Sequence, residues 1–470
     1  HIYPQSIAPY LKLIKFSPKN HRYIANGWEV MVYLDNYFWW ARDTDYLEKA
    51  ARRWFAAWLK NKKMRNGIVR SYNEDHSILT KKFLMLKKIK INQLDNFGLL
   101  KLYDEVISGA LKHLTYGEYT SDLFDDYFGK VFHEYLVKVT QNKITTEDLS
   151  EFLQPATIST GAECRRATLK LSLTKTHSIK QIEFLADKFN WIKMSWDGSN
   201  EFTVENIKKE ISELKKINPL TRRQELCKLE NFSKIIQQRR KKLLNKYELN
   251  KKSVQEYFDL LDEFNTFHDY RKEIQMRSNQ VIYRVLKEIP KRFKLKYKDL
   301  VFYFTEEVEN LLGRDKYVSP RKITERQRGI TWLIQKGQIK EYLGKKAKKK
   351  LEELVLSVTR VKGTKEIKGL PASRGKYEGK AFVTNSAKDA NYFLKKGEIL
   401  VTPMTTVDYL PAMKRSGAII TDDGGATCHA AIISREFGIP CVVGTKVATQ
   451  VFKTGDKLKV DANLGIIKKI

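Results

Sequence analysis

No run of about 18 apolar residues occurs in the chain, which excludes a membrane-spanning helix. The stretch from His1 lacks the charged, apolar and small-residue succession of a secretory leader, so a cytoplasmic protein without membrane contact is expected. Cysteine is scarce. Cys164, Cys227, Cys428 and Cys441 lie far apart with no Cys-x-x-Cys pair, which argues against a disulfide framework or a zinc site and for a reducing compartment. No metal site is expected. Glycine is sparse over the first 230 residues, where no glycine-rich phosphate-binding loop is present. Acidic residues are also in deficit, 55 Asp and Glu against 87 Lys and Arg, for a formal net charge of +32. Such a surplus attracts polyanions, so nucleic acid is carried as a candidate partner. No nucleic-acid-binding module is recognisable, however. The basic runs Lys345 to Lys350 and Arg239 to Lys242 fall on helical patterns, where solvated faces are the plainer account.

A chain of 470 residues with 42% hydrophobic residues can build two to four domains with real cores. The first part reads as helical. Leu47, Ala50, Ala51, Trp54, Phe55 and Trp58 recur on one helical face, and an aromatic-dense stretch from Trp28 to Trp40 either fills a core or lines an acceptor pocket, the former being the simpler reading. Thr145 or Thr146 is expected to cap a helix. Leu220 to Leu244 reads as one long basic amphipathic helix, and Phe258 to Ile289 as another. The second carries Arg271 and Arg277, candidates for binding a substrate. Thr305 is a candidate cap for a helix bearing Val308, Leu311 and Leu312. Beyond about residue 365 short strands alternate with glycine turns. Lys380 to Val383 and Lys457 to Asp461 are expected strands.

The stretch from Gly417 to Val443 organises the rest. Gly417 to Thr421 has the size and apolarity of a buried strand. Asp422, Asp423, Gly424 and Gly425 form a tight polar loop that permits positive φ. Thr427 is a good cap, so the spacing predicts a helix from Cys428 to Phe437, ended by Gly438 and Pro440, then a strand Cys441 to Val443. His429 therefore lies in the first helical turn. Amides outside the helical ladder and the helix dipole favour an anion there and disfavour imidazolium, leaving a neutral, nucleophilic ring. A histidine that only packs or caps is the alternative, and the flanking residues weigh against it.

This segment resembles the phosphohistidine motif of the phosphoenolpyruvate-utilising enzymes with a mobile, swivelling domain, a group that includes phosphoenolpyruvate synthase and rifampicin phosphotransferase. The resemblance rests on Gly424-Gly425-x-Thr427-Cys428-His429-Ala430-Ala431 and on Arg435, Gly438 and Pro440, with Gly397 to Pro403, Asp408 to Met413 and Gly369 to Gly375 upstream. Arg374 stands where that family often has proline. The segment Asp299 to Val308 is similar as well. A multidomain protein is expected: an aromatic-rich helical region at 1–180, read from its own periodicity and hardly touched by the resemblance, and, as the resemblance implies, a helical linker region at 181–364 and an α/β (β/β/α) swivelling domain at 365–470. The resemblance implies that His429 carries a phosphoryl group, supported by Gly424, Gly425, Thr427, Cys428 and Arg435. Neither an ATP-grasp domain nor a phosphoenolpyruvate-binding barrel is recognisable in these residues. The expectation is therefore a phosphotransferase component with no cofactor of its own. Its donor, ATP or phosphoenolpyruvate with Mg, would sit on an ATP-grasp or other partner subunit, and its acceptor would be a small molecule. The competing expectation is a retired scaffold that uses its basic surface to bind nucleic acid or a protein.

Overall fold

The computed structural model describes residues 28–34, 37–42, 44–141, 143–194, 201–335, 338–358, 366–406, 409–425 and 428–470. The chain divides into two compact units. One comprises His1–Thr120, Ser159–Glu230 and Thr266–Val358; the other comprises Ser121–Ile158, Asn231–Asn265 and Thr359–Ile470. Among the described residues no helix is long and apolar enough to cross a membrane.

The first unit is largely helical. Its main core joins Leu79, Phe83, Leu99, Tyr103 and Ile107 to Ile274, Val281 and Leu286 on the helix Lys251–Phe293. As the apolar spacing predicts, Leu47, Ala50, Ala51, Trp54, Phe55 and Trp58 are all buried on the helix Thr44–Lys60. The aromatic-dense stretch departs from the helical expectation. It forms two strands, β1 (Trp28–Leu34) and β2 (Tyr37–Arg42). With β3 (Ile330–Gln335) and β4 (Gln338–Leu343) they make an antiparallel sheet in the order β2-β1-β3-β4. Aromatic and β-branched residues favour strands when a neighbour supplies the pairing. Here that neighbour is β3, where Met31 faces Trp332. Thr305 is likewise displaced from its expected role. Phe304 takes the cap position, its N–H donates to Glu307 Oε2 at 2.9 Å, and Thr305 begins the helix Thr305–Arg314.

In the second unit the helical part is knit by aromatic rings, among them Phe132 stacked on Tyr257 at 4.7 Å and Phe124 on Phe264 at 4.5 Å. Thr145 caps the helix Thr146–Phe152 by accepting from Asp148 N. The expected single helix from Leu220 to Leu244 is instead two, Pro219–Glu230 and Phe232–Lys246, with Asn231 at the junction. Nor is the run Arg239 to Lys242 wholly solvated. Arg240 is buried, donates to both carboxylate oxygens of Asp262 at 2.8 Å, and lies over the Phe258 ring.

The remainder of the second unit is an eight-stranded sheet. Its strands are β5 (Glu366–Lys368), β6 (Leu370–Ser373), β7 (Lys376–Val383), β8 (Ile399–Thr402), β9 (Ala418–Thr421), β10 (Cys441–Val443), β11 (Lys457–Asp461) and β12 (Ile466–Lys469), in the order β5-β12-β11-β7-β8-β9-β10-β6. β7, β8, β9 and β10 are parallel to their neighbours in that run. The sequence distinguishes the two kinds of strand. Ile-Leu-Val-Thr, Ala-Ile-Ile-Thr and Cys-Val-Val are apolar runs buried at every position, as a parallel sheet covered on both faces requires. Lys-Leu-Lys-Val-Asp in β11 alternates exposed and buried, the mark of an antiparallel strand with one wet face.

Candidate active site

Because β8, β9 and β10 run parallel, the loops that follow them gather along one edge of the sheet, where α/β sheets place their ligands. The loop after β8 holds Thr405, and the loop after β9 holds Asp422 to Cys428. The latter leads into the helix His429–Phe437. Two features shape it. Gly424 has φ 110°, and a Cβ there would lie 2.7 Å from Cys428 Sγ, so the loop requires glycine for conformation and for space. Cys428 N then donates to Gly425 O at 3.1 Å, turning the chain into the helix.

The helix begins one residue later than the spacing suggests. Cys428 is the cap residue, with φ −67° and ψ 163°, and its side chain makes no capping bond. The expected cap, Thr427, lies outside the described residues. The first helical rung runs from Ile432 N to Cys428 O at 3.0 Å, so the amides before it stand outside the ladder and point their partial positive charge at the loop. Gly438 ends the helix in the left-handed region at φ 65°, as predicted.

His429 is half-buried, and its Nδ1 lies 2.9 Å from Oγ1 of Thr405, itself buried. Thr405 was not picked out from the sequence. The available signal was its place just past the C-terminal end of a parallel strand. Asp422 is also buried in the loop. Its carboxylate accepts from Thr445 Oγ1 at 3.2 Å and Thr449 N at 3.1 Å, and from the Thr449 hydroxyl. Burial raises its pKa despite those donors. Asp422 is thus a brace that fastens the loop after β9 to the one after β10.

Gly424, Gly425, Cys428 and His429 are therefore brought together. Arg435 lies nearly two turns along the helix, where its Nε donates to Ala372 O of β6 at 2.7 Å, and burial lowers its pKa. Arg271 and Arg277 belong to the first unit. Arg277 is buried, with Nε on Glu273 Oε1 at 2.7 Å, Nη1 on Asn190 Oδ1 at 3.1 Å and Nη2 on the Lys188 carbonyl at 2.8 Å. Those bonds tie the helix Lys251–Phe293 to the end of the helix Ile179–Phe189. Arg271 is half-buried on the same long helix.

Comparison with known proteins finds likeness over the same part of the chain. Residues 394–465 match the family described as PEP-utilising enzyme, mobile domain. A probable phosphoenolpyruvate synthase of Archaeoglobus fulgidus is 45% identical over 173 residues, 34% of this chain and 22% of that protein. Phosphoenolpyruvate synthase of Pyrococcus furiosus is 53% identical over 103 residues, 22% of this chain and 12% of that protein. An uncharacterized phosphotransferase of Bacillus subtilis is 37% identical over 175 residues, 36% of this chain and 21% of that protein. The chain thus spans about a fifth or less of the length of these curated relatives. The crystal structure of Thermococcus kodakaraensis aconitase X in its holo-form matches at 25% identity over 23% of this chain and 99% of that one, with a TM-score of 0.19, too low to carry an argument. The segment that contains His429 is thus the part of the chain that matches the mobile domain of PEP-utilising enzymes.

Proposed function

We propose that this protein transfers phosphoryl groups through His429, taking one from a donor and passing it to a small-molecule acceptor. One observation carries the reading: His429 opens a helix directly after a glycine loop, at the C-terminal edge of a parallel sheet, with Nδ1 held at 2.9 Å by Thr405. In the tautomer that donates Nδ1–H to Thr405 Oγ1, the lone pair sits on Nε2. Nε2 then attacks the donor phosphorus. The Nε2–P bond forms as the P–O bond to the leaving group breaks, and the Nδ1 proton stays in place. In the second step an acceptor oxygen attacks phosphorus and the Nε2–P bond breaks. Both steps require positioning and charge stabilisation more than elaborate side-chain chemistry. Gly424 and Gly425 leave room for the donor, and the outer amides of the helix His429–Phe437 face the phosphoryl oxygens.

In this reading the donor is ATP or phosphoenolpyruvate with its magnesium, held on an ATP-grasp or other donor subunit, and the domain around His429 travels between two sites. The named synthases among the relatives and the small share of their length matched here support it. A chase experiment tests the transfer. Phosphorylated protein freed of donor should lose its phosphoryl group faster with a small-molecule extract than in buffer, and the label should appear in a small molecule. Equal loss in both would contradict onward transfer.

A further inference from the structure

The strands β8 and β9 feed helices on one face of the sheet. Ala412 and Met413 of the helix Leu410–Arg415, and Ala430 and Ala431 of the helix His429–Phe437, share one core. β10 feeds a helix on the other face, Ala448–Val451, whose Ala448 lies in a separate core with Val460 and Ile467. The chain therefore diverges between β9 and β10. The loops that leave these two strands, Asp422 to Gly425 and Gly444 to Val447, stand as adjoining walls at the carboxyl edge of the sheet.

The walls are fastened together. Thr445 N donates to Thr421 O at 3.1 Å, Lys446 N donates to Asp422 O at 2.9 Å, and Thr445 Oγ1 donates to Thr421 O at 3.0 Å. The approach is so close that a Cβ on Gly444 would lie 2.9 Å from Gly424 O. Lys446 is thus anchored beside the glycine loop that precedes His429, and it is exposed. Among the described residues of the three loops that follow β8, β9 and β10 the carboxylates are Asp422 and Asp423, and the single Lys or Arg is Lys446. A phosphoryl group arriving here brings further negative charge beside Asp422 and the exposed Asp423.

The backbone of Lys446 adds a second observation. Its φ is 68°, in the left-handed region that glycine occupies without strain and a side chain with Cβ does not. Strain of this kind persists where the surrounding structure enforces it, and it concentrates at functional sites. We infer that Lys446 binds the phosphoryl group carried on His429, its ammonium offsetting the charge of the transferring oxygens. The inference rests on the carrier reading of His429. A flexible lysine suits the task, because its point charge can follow a group that is received in one setting and released in another.

Phosphoramidate, a small phosphoryl donor that needs no partner protein, makes the test direct. The full chain is incubated with it near neutral pH, and phosphohistidine is followed by intact mass. Wild type should gain one phosphoryl group that His429→Ala does not. Lys446→Arg should label within about twofold of wild type, whereas Lys446→Gly and Lys446→Met should label about tenfold more slowly, as loss of a charge-assisted bond predicts. The thermal midpoint of Lys446→Gly should equal or exceed that of wild type, because glycine relieves the backbone. Labelling of Lys446→Gly at the wild-type rate would overturn the assignment and leave the carrier intact. Labelling of Lys446→Arg as slow as that of Lys446→Gly would overturn it too, since the charge would then not be what matters. A wild type labelled no more than His429→Ala would sink the carrier reading and this inference with it.

Discussion

In the proposed transfer a single hydroxyl orients His429. Thr405 Oγ1 lies 2.9 Å from Nδ1 and accepts from it in the tautomer that leaves the Nε2 lone pair for attack. Thr405→Val keeps the shape and removes the hydroxyl. It should slow phosphorylation of His429 about tenfold, the worth of one hydrogen bond, while Thr405→Ser stays within about twofold. A timed intact-mass assay checks both, and equal rates for wild type and Thr405→Val would remove Thr405 from the mechanism. A second histidine shows the opposite use of burial. His113 is fully buried, stacked on Tyr72 at 4.4 Å. Burial first, then the neighbouring His76, push its pKa from 6.5 down to about 3. The folded state therefore binds fewer protons than the unfolded state between those values, so stability rises with pH there and is lost as pH falls below about 6.5. His113→Phe keeps the ring and removes the titration. The urea midpoint of wild type should fall more steeply than that of the variant between pH 6.5 and about 4, a difference on the order of 3 kcal/mol at the acid end. Parallel pH profiles would contradict this.

At the level of elements, the loop before His429 is fixed by one glycine. Gly424→Ala places a Cβ against Cys428 Sγ in a backbone of φ 110°, so it should cost the second unit roughly 1–3 kcal/mol and slow labelling. Adding Cys428→Ala should recover part of the stability, because the 2.7 Å approach to Sγ goes while the 3.0 Å approach to the Cβ of residue 428 and the backbone strain stay. Differential scanning calorimetry of the single and double variants separates the two terms, and no recovery would mean that the clash is not what limits the loop. This loop, its strands and its helix were readable in the sequence because their signals are local: short apolar runs, a glycine pair, and Gly438 and Pro440 as a stop. What escaped was long-range. The hairpin of β1 and β2 depends on β3, far along the chain, and without it Trp28 to Trp40 reads as helical. Arg240 looks like one more charge in a basic run until Asp262 and Phe258 close on it. Thr405 and Lys446 reach the site through strand order, which no local pattern encodes. The break at Asn231 carries no signal beyond the asparagine itself.

For the molecule as a whole, the basic surplus and the proposed carrier histidine are separable. The charge is spread along the chain, with Lys345, Lys346, Lys348 and Lys349 exposed on one helix of the first unit, whereas the site chemistry is confined to a sheet edge of the second. The central claim concerns the second alone. The most direct measurement is the intact mass of wild type and His429→Ala after incubation with ATP and magnesium, or with phosphoenolpyruvate, in the presence of cell extract. The account predicts a gain of one phosphoryl group in wild type, lost on brief acid treatment, and no gain in a His429→Ala variant that melts at the wild-type temperature. An acid-labile phosphoryl group of equal stoichiometry on His429→Ala would contradict it.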